Sequence, residues 1–133
     1  YRAALGQAGL AFDERFIFLG CMSAEDGEQA VQQILAKQLP IDGIVCTDNT
    51  VAFGAVRALT NAKIAVPAQI PVITFDNSPV TELSTPKLSA VDIDVFQLGR
   101  QAANILLSSI EDTSGSVQNS LIQVSLVPRE STR

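Results

Sequence analysis

The fold is decided by the stretch "DGIVCTDNTVAFGAVRALTNAKIAVPAQIPVITFD", residues Asp42 to Asp76. A short apolar segment lies at each end of it, "DGIVC" and "PVITF", and neither alternates apolar with polar residues as a half-exposed strand does. Between them, apolar residues recur at helical spacing, at Ala52, Ala55, Val56 and Leu59. Two apolar strands joined by a helix indicate parallel strands that are buried on both faces of a sheet.

Helical and strand-like segments alternate on both sides of this unit. Ser23 is placed to cap one helix, and Gly9 to end another. The fold class predicted is therefore α/β, with a parallel sheet flanked by helices on both faces. The remaining segments are, in chain order, a helix over 1–10, a strand over 15–20, a helix over 23–40, a strand over 88–94, a helix over 95–110, a polar loop over 111–120 and a strand over 121–127.

Length and charge limit the classes of function. The chain has 133 residues, 47% of them hydrophobic, which is enough for the core of one domain. Its formal charge of −5 and its scattered basic residues argue against a nucleic-acid surface in this part of the protein. No apolar run approaches the roughly 20 residues needed to cross a bilayer, so no membrane partner is expected.

The reactive residue types argue for binding and against catalysis. The chain has no histidine, which excludes Ser-His-Asp and Cys-His arrangements and any metal site that needs an imidazole. Cys21 and Cys46 lack the spacing of a zinc site or a redox pair, and they are interpreted as buried free thiols, with a disulfide left open. No nucleotide-binding motif is present. We expect no enzyme activity, no cofactor and no metal.

Polar residues follow the predicted strands at the edge where α/β proteins bind ligands. Asp48 follows the strand "DGIVC", although the need to cap the next helix would also explain it. Asp76 follows "PVITF", where either an Asx-turn or a ligand would explain a carboxylate. Asp92 and Asp94 could bind a cation, or they could be a solvated pair at the start of a helix.

Five elements in order carry a resemblance to a known family: "DNTVAFGAVRAL", "VPAQIPVITFD", "TPKLSAV", "LGRQAANILL" and the closing "REST". Together they resemble the effector-binding domain of the lactose-repressor and galactose-repressor family of bacterial transcription regulators. That domain has two lobes like those of type I periplasmic sugar-binding proteins, with the effector between them. The resemblance implies a C-terminal fragment, in which 1–92 and 119–133 form the C-terminal lobe and 93–118 belong to the N-terminal lobe.

The resemblance also implies site residues. Asp76 matches the family's effector-binding aspartate, and Asp48 lies next to the usual capping position. Met22 matches a position often held by an aromatic residue that stacks on the ligand, and Val95 falls near another lining position. Three features depart from the family pattern: the order Asp-Asn at Asp48 is reversed, Thr74 replaces a glycine, and Met22 is not aromatic.

The partners implied are a small-molecule effector, such as a sugar or related metabolite, and a second copy of the chain. Phe53 and Leu83 are placed at the two-fold interface of the homodimer. Operator DNA would be bound only through an N-terminal helix-turn-helix that this chain lacks, and the expected location is cytoplasmic. The alternative is a periplasmic solute-binding protein of a sugar transporter, which has the same fold.

Overall fold

A computed structural model of the chain describes residues 1–111 and 119–133, so most of the predicted loop over 111–120 lies outside the described residues. The strands are short and the helices differ widely in length. The helices are α1 (Arg2–Gln7), α2 (Ala24–Ala36), α3 (Asn49–Asn61), α4 (Val80–Leu83) and α5 (Val95–Glu111). The strands are β1 (Ile44–Cys46), β2 (Val72–Phe75), β3 (Ser89–Asp92) and β4 (Ser125–Val127), and two 3₁₀ turns lie at Glu14–Phe16 and Glu130–Thr132.

The four strands form one sheet in the order β1, β2, β3, β4. The first three are parallel, with Cys46 paired to Thr74 and Thr74 to Ala90. β4 is antiparallel to β3, with Val127 opposite Ala90. The α/β class is therefore confirmed, with the addition that the sheet is mixed because its last edge strand runs in reverse.

Helices α2 and α3 form the core with one face of the sheet. α3 packs on β1 and β2, and α2 packs on α3. Two glycines let the helix backbones touch. A Cβ at Gly54 would lie 1.8 Å from the Ala24 carbonyl oxygen, and one at Gly27 would lie 2.1 Å from that of Val51. The core includes Val31, Cys46, Val56, Leu59, Val72 and Leu88.

The opposite face of the sheet is only partly covered. Side chains alternate along a strand, so Val45 and Phe75 point away from α3, as does Leu126 on β4. All three are exposed. Within the described residues, therefore, helices pack on one face, and part of the other face is left bare.

The strand predicted over 15–20 is wrong. Its first residues belong to the 3₁₀ turn Glu14–Phe16. The Asp13 carboxylate stabilises this turn, because it accepts a hydrogen bond from the backbone N–H of Arg15 at 2.9 Å and forms an ion pair with the Arg15 side chain. The remaining residues, 17–20, pair with no strand of the described sheet. The local polar pair therefore outweighs the strand preference of this apolar run. The first helix and its end at Gly9, which has a φ of 70°, are as predicted.

Candidate functional site

The carboxyl ends of β1, β2 and β3 meet at one edge of the sheet, because these strands are parallel. Asp48 follows β1, Asp76 follows β2 and Val95 begins the helix after β3, so the structure brings these three predicted positions to the same edge. All three side chains are exposed. The structure thus confirms the shared edge predicted for Asp48 and Asp76, and the ligand-binding roles of all three stay predictions.

Met22 approaches this edge from the α2 side. It precedes the N-cap Ser23, and the next residue, Ala24, lies against Gly54 of α3. The Ser23 hydroxyl and the Asp26 carboxylate form a complete capping box, and Asp26 also accepts a hydrogen bond from the backbone N–H of Met22 at 2.9 Å. The backbone of Met22 is therefore held in place while its side chain is exposed.

Asp48 is the N-cap of α3. Its carboxylate accepts a hydrogen bond from the backbone N–H of Thr50 at 2.7 Å. The capping explanation is thus confirmed. One carboxylate oxygen remains available to solvent or to a ligand, since a carboxylate has two oxygens and the cap engages one.

Asp76 lies in a different setting. Its φ is 71°, in the left-handed region that few residues other than glycine, asparagine and aspartate adopt. Its backbone N–H donates to the carbonyl of Val91 at 3.0 Å, which ties the loop to β3. Among the described residues its carboxylate accepts no hydrogen bond, so the Asx-turn explanation fails. An exposed carboxylate on an anchored backbone is available to a ligand with hydroxyl or amine donors.

Asn49 anchors the same loop from the other side, a role that sequence reasoning missed. In the amide orientation that satisfies both ends, its nitrogen donates to the Asp76 carbonyl at 2.8 Å and its oxygen accepts from the Ser78 hydroxyl at 2.8 Å. The residue pair Asp48 and Asn49 therefore divides two tasks. The aspartate caps α3, and the asparagine joins α3 to the loop after β2.

Of the two aspartates near the end of β3, Asp92 and Asp94, the second has a structural role. The Asp94 carboxylate accepts a hydrogen bond from the backbone N–H of Gln97 at 2.8 Å and caps α5. Within residues 1–111 and 119–133, no group of three residues is arranged to hold a metal ion. The cap explains Asp94, and the cation alternative for Asp92 and Asp94 stays a hypothesis.

Both cysteines are free thiols near this edge. Burial, together with smaller contributions from the nearby Cys21 and Asp48, raises the pKa of Cys46 to about 12. Burial also raises the pKa of Cys21 above its usual value, with a smaller contribution from Asp26. Because the thiolate is the reactive form, neither is a strong nucleophile at neutral pH.

The two residues predicted at a dimer interface differ in their surroundings. Phe53 is half-buried and packs against the core of this chain. Leu83, the last residue of α4, is 82% exposed. The interface itself stays a prediction, and Leu83 is the cleaner probe of it because its side chain has little to do with the fold of one chain.

The sequence of the chain is similar to that of a known domain family and of several transcription regulators. The family model of the periplasmic binding protein-like domain matches residues 1–132. The transcriptional repressor CytR of Escherichia coli K12 is 29% identical over 133 residues, which is 100% of this chain and 39% of that protein. The regulator GalR of Lacticaseibacillus casei is 36% identical over 100 residues, covering 73% of this chain and 30% of that protein. The chain thus spans about 40% of the length of the full-coverage relatives it matches.

The fold is also similar to solved structures of transcription regulators. A LacI regulator from Bacillus cereus matches with a TM-score of 0.87 and 29% identity, over 97% of this chain and 46% of that one. The regulator CcpA of Lactococcus lactis matches with a TM-score of 0.83 and 30% identity, over 100% of this chain and 48% of that one. Among the described residues, no helix combines the length and apolar character needed to span a membrane. The chain belongs to the periplasmic binding protein-like domain family.

Proposed function

We propose that the chain is the effector-binding and dimerisation part of a bacterial transcription regulator, in which a small hydroxylated effector controls DNA binding by a helix-turn-helix outside this chain. The observation that carries the proposal is the unengaged carboxylate of Asp76, which is exposed at the ligand edge of the sheet on a loop anchored by Asn49 and β3. A carboxylate in that position accepts hydrogen bonds from hydroxyl groups.

The chemistry of the edge favours a sugar or a related metabolite. Asp76 and the free oxygen of Asp48 supply acceptors, whereas Met22 and Val95 supply exposed apolar surface beside them. The structural neighbour CelR, a regulator solved in complex with cellobiose, matches this chain with a TM-score of 0.87 and 26% identity. That similarity supports a sugar as the first class of compound to test.

The effector site is tested by titration calorimetry of the intact protein with mono- and disaccharides that include cellobiose, because this chain supplies only one side of the proposed cleft. Asp76→Asn is the informative variant, because asparagine also tolerates the left-handed backbone and removes only the charge. We expect it to weaken binding by about 1–3 kcal/mol, which is roughly 5- to 150-fold. Asp42→Asn is the control, since it removes the charge of an exposed carboxylate that precedes β1, at the opposite edge of the sheet from the site. Equal affinity in wild type and Asp76→Asn would remove Asp76 from the site.

Dimerisation is proposed to use Leu83 and Phe53. The surface of Leu83 costs free energy in water and would be covered by a second copy. We expect Leu83→Asp to halve the mass measured by light scattering, whereas the control Leu121→Asp, at a position 98% exposed, leaves the mass unchanged. An unchanged mass in Leu83→Asp would place the interface elsewhere. Phe53→Asp would be a poorer test, because Phe53 also packs on the core.

The exposed surface of α5 supports the proposed division of the chain into lobes. If 93–118 belongs to the other lobe, the apolar side chains of α5 have their packing partners outside this chain, as their exposure suggests. This division, with 1–92 and 119–133 in one lobe, also accounts for the antiparallel β4, which returns to β3 after α5.

The alternative, a periplasmic solute-binding protein, shares the fold. The relatives that match over the whole chain are transcription regulators, which favours the regulator and, in the same way, argues against an enzyme. Sequencing the reading frame upstream of Tyr1 separates the two. A helix-turn-helix is expected, with a cytoplasmic protein as the consequence, and a secretion signal would overturn the proposal.

A further inference from the structure

Arg129 lies near the end of the chain and reaches back to the loop after β2. Its side chain is 12% exposed, and its guanidinium makes four hydrogen bonds. Its Nη1 donates to the Leu88 carbonyl at 2.8 Å and to the Thr81 hydroxyl at 3.1 Å. The other nitrogen, Nη2, donates to the amide oxygen of Asn77 at 2.7 Å and to the carboxylate of Glu82 at 3.0 Å.

The backbone of Arg129 is itself fixed to the sheet. Its N–H donates to the Ser89 hydroxyl at 2.7 Å, and the next turn is held by Ser131, whose hydroxyl donates to the Val72 carbonyl at 2.5 Å and accepts from the Ser89 N–H at 2.9 Å. The guanidinium therefore extends from a rigid base. Its planar fork can fix the direction of the groups it contacts, which a flexible ammonium cannot do as well.

Asn77 directly follows Asp76, so the two sides of this loop are held by different parts of the chain. Asn49 binds the Asp76 carbonyl and Ser78 from the start of α3, and Arg129 binds the Asn77 side chain from the C-terminal segment. Without Arg129, the Asn77 amide oxygen would keep only a contact of 3.5 Å from the Thr81 hydroxyl. A left-handed residue keeps its conformation only when its surroundings hold it there.

We propose that Arg129 is a positioning residue for the loop Asp76–Ser78, acting through Asn77 to keep the Asp76 carboxylate at the ligand edge. The relevance to effector binding rests on the function proposed above, but the loop contact itself does not. The ion pair with Glu82 is a minor part of this role, because the Glu82 side chain is 64% exposed and solvent weakens the pair. The hydrogen bond from the guanidinium to the uncharged amide of Asn77 is the part that acts on the loop.

The first experiment measures amide hydrogen exchange by NMR in the whole chain, with no effector present. In Arg129→Gln we expect the Asp76 amide, bonded to Val91, to exchange about tenfold faster or more relative to amides of α3, because local opening of the loop becomes easier. Arg129→Lys should recover part of the protection. Glu82→Gln should leave it unchanged, since it removes only the exposed ion pair.

A destabilised control separates positioning from general stability. Val31→Ala opens a cavity in the α2–α3 core and should lower the melting temperature. Val31 lies far from Arg129 in the sequence and does not contact the loop Asp76–Ser78. If Arg129→Gln speeds exchange at Asp76 and in α3 equally, as Val31→Ala does, Arg129 only stabilises the fold and the proposal is overturned. Preferential exchange at residues 76–78 supports it.

A second experiment connects the loop to the site. In titrations with cellobiose, or with the best-binding sugar of the panel, Arg129→Gln and Asn77→Ala should each weaken binding, and the double variant should weaken it no further, because both remove one contact. Additive losses would show that Arg129 does not act through Asn77. Failure of Asp76→Asn to affect binding would reject the proposed site, while the exchange result would still decide the role of Arg129.

Discussion

Helices α3 and α5 begin in the same way and end in opposite situations. Each starts at the carboxyl edge of the sheet, and each has an aspartate that caps its first turn, Asp48 for α3 and Asp94 for α5. α3 buries seven of its thirteen residues. In α5, none of residues 95–110 is buried, and Phe96 is 80% exposed.

The difference shows what an apolar pattern determines. The pattern and the cap settle that a helix forms and which of its faces seeks cover, because both depend on residues within the helix. Whether that face is buried depends on the segments that pack on it. α3 has α2 and the sheet against it, whereas α5 has no comparable neighbour among the described residues. Similar local sequence signals therefore lead to unequal contributions to stability.

Glycine substitution should give the largest contrast between the two helices. At Gly54 of α3, a Cβ would lie 1.8 Å from the Ala24 carbonyl oxygen, so α2 would have to move away. We expect Gly54→Ala to lower the free energy of unfolding by about 3 kcal/mol or more. At Gly99 of α5 nothing lies within 4 Å, and Gly99→Ala should raise helix stability by about 0.5–1 kcal/mol. Urea denaturation measures the first, and helical circular dichroism the second.

The glycine comparison would break down if Gly54→Ala cost less than about 1 kcal/mol, the cost of an ordinary substitution. The close contact between α2 and α3 would then be looser than the structure shows. A loss of stability in Gly99→Ala would instead place a packed neighbour against α5.

Leucine truncation should give the next largest contrast. Leu59 of α3 is fully buried and Leu106 of α5 is 62% exposed. We expect Leu59→Ala to cost about 2–5 kcal/mol, because it removes transfer free energy and leaves a cavity. Leu106→Ala should change stability by no more than about 0.5 kcal/mol. Unfolding in urea, repeated at two protein concentrations, measures both.

A concentration-dependent result would sharpen the leucine comparison. If Leu106→Ala costs as much as Leu59→Ala, and if stability falls on dilution, then α5 is covered by a second copy of the chain in solution. An equal cost that does not vary with dilution would mean that α5 packs within one chain, contrary to its exposure here.

Most of the fold could be predicted because its signals are local. The strand–helix–strand unit of Asp42–Asp76, the capping box of Ser23 and the cap at Asp48 all rest on residues within a few positions of one another. The 3₁₀ turn at Glu14–Phe16 was missed because a single pair, Asp13 and Arg15, outweighed an apolar run. The antiparallel direction of β4 was missed because periodicity gives no strand direction.

The sequence was enough to predict the exposed residues of the site, but not the residues that hold them in place. Asp76 could be placed at the edge from the strand before it, since strand ends converge there. The contacts that hold its loop come from Asn49, 29 residues from Ser78, and from Arg129, 52 residues from Asn77. Pairs so distant leave no periodic signal. The closing "REST" marked Arg129 as part of a family motif, but only the fold shows what it touches.

Removal of the helix caps should give the smallest contrast and the most direct test of coupling. Asp48→Ala removes the cap of a helix that is packed into the core, so the loss should appear in the global free energy of unfolding, at about 1 kcal/mol. Asp94→Ala removes an equivalent hydrogen bond from α5. Because α5 lacks a buried face, we expect its loss to remain local, with a global change of only a few tenths of a kcal/mol. Amide exchange in the first turn of α5 should nevertheless become roughly fivefold faster, which corresponds to about 1 kcal/mol of local stability.

Asp48→Asn and Asp94→Asn are the controls, since asparagine restores both caps. Equal global losses in the two alanine variants would show that α5 unfolds together with the core, and that the contrast between the two helices is confined to their surfaces.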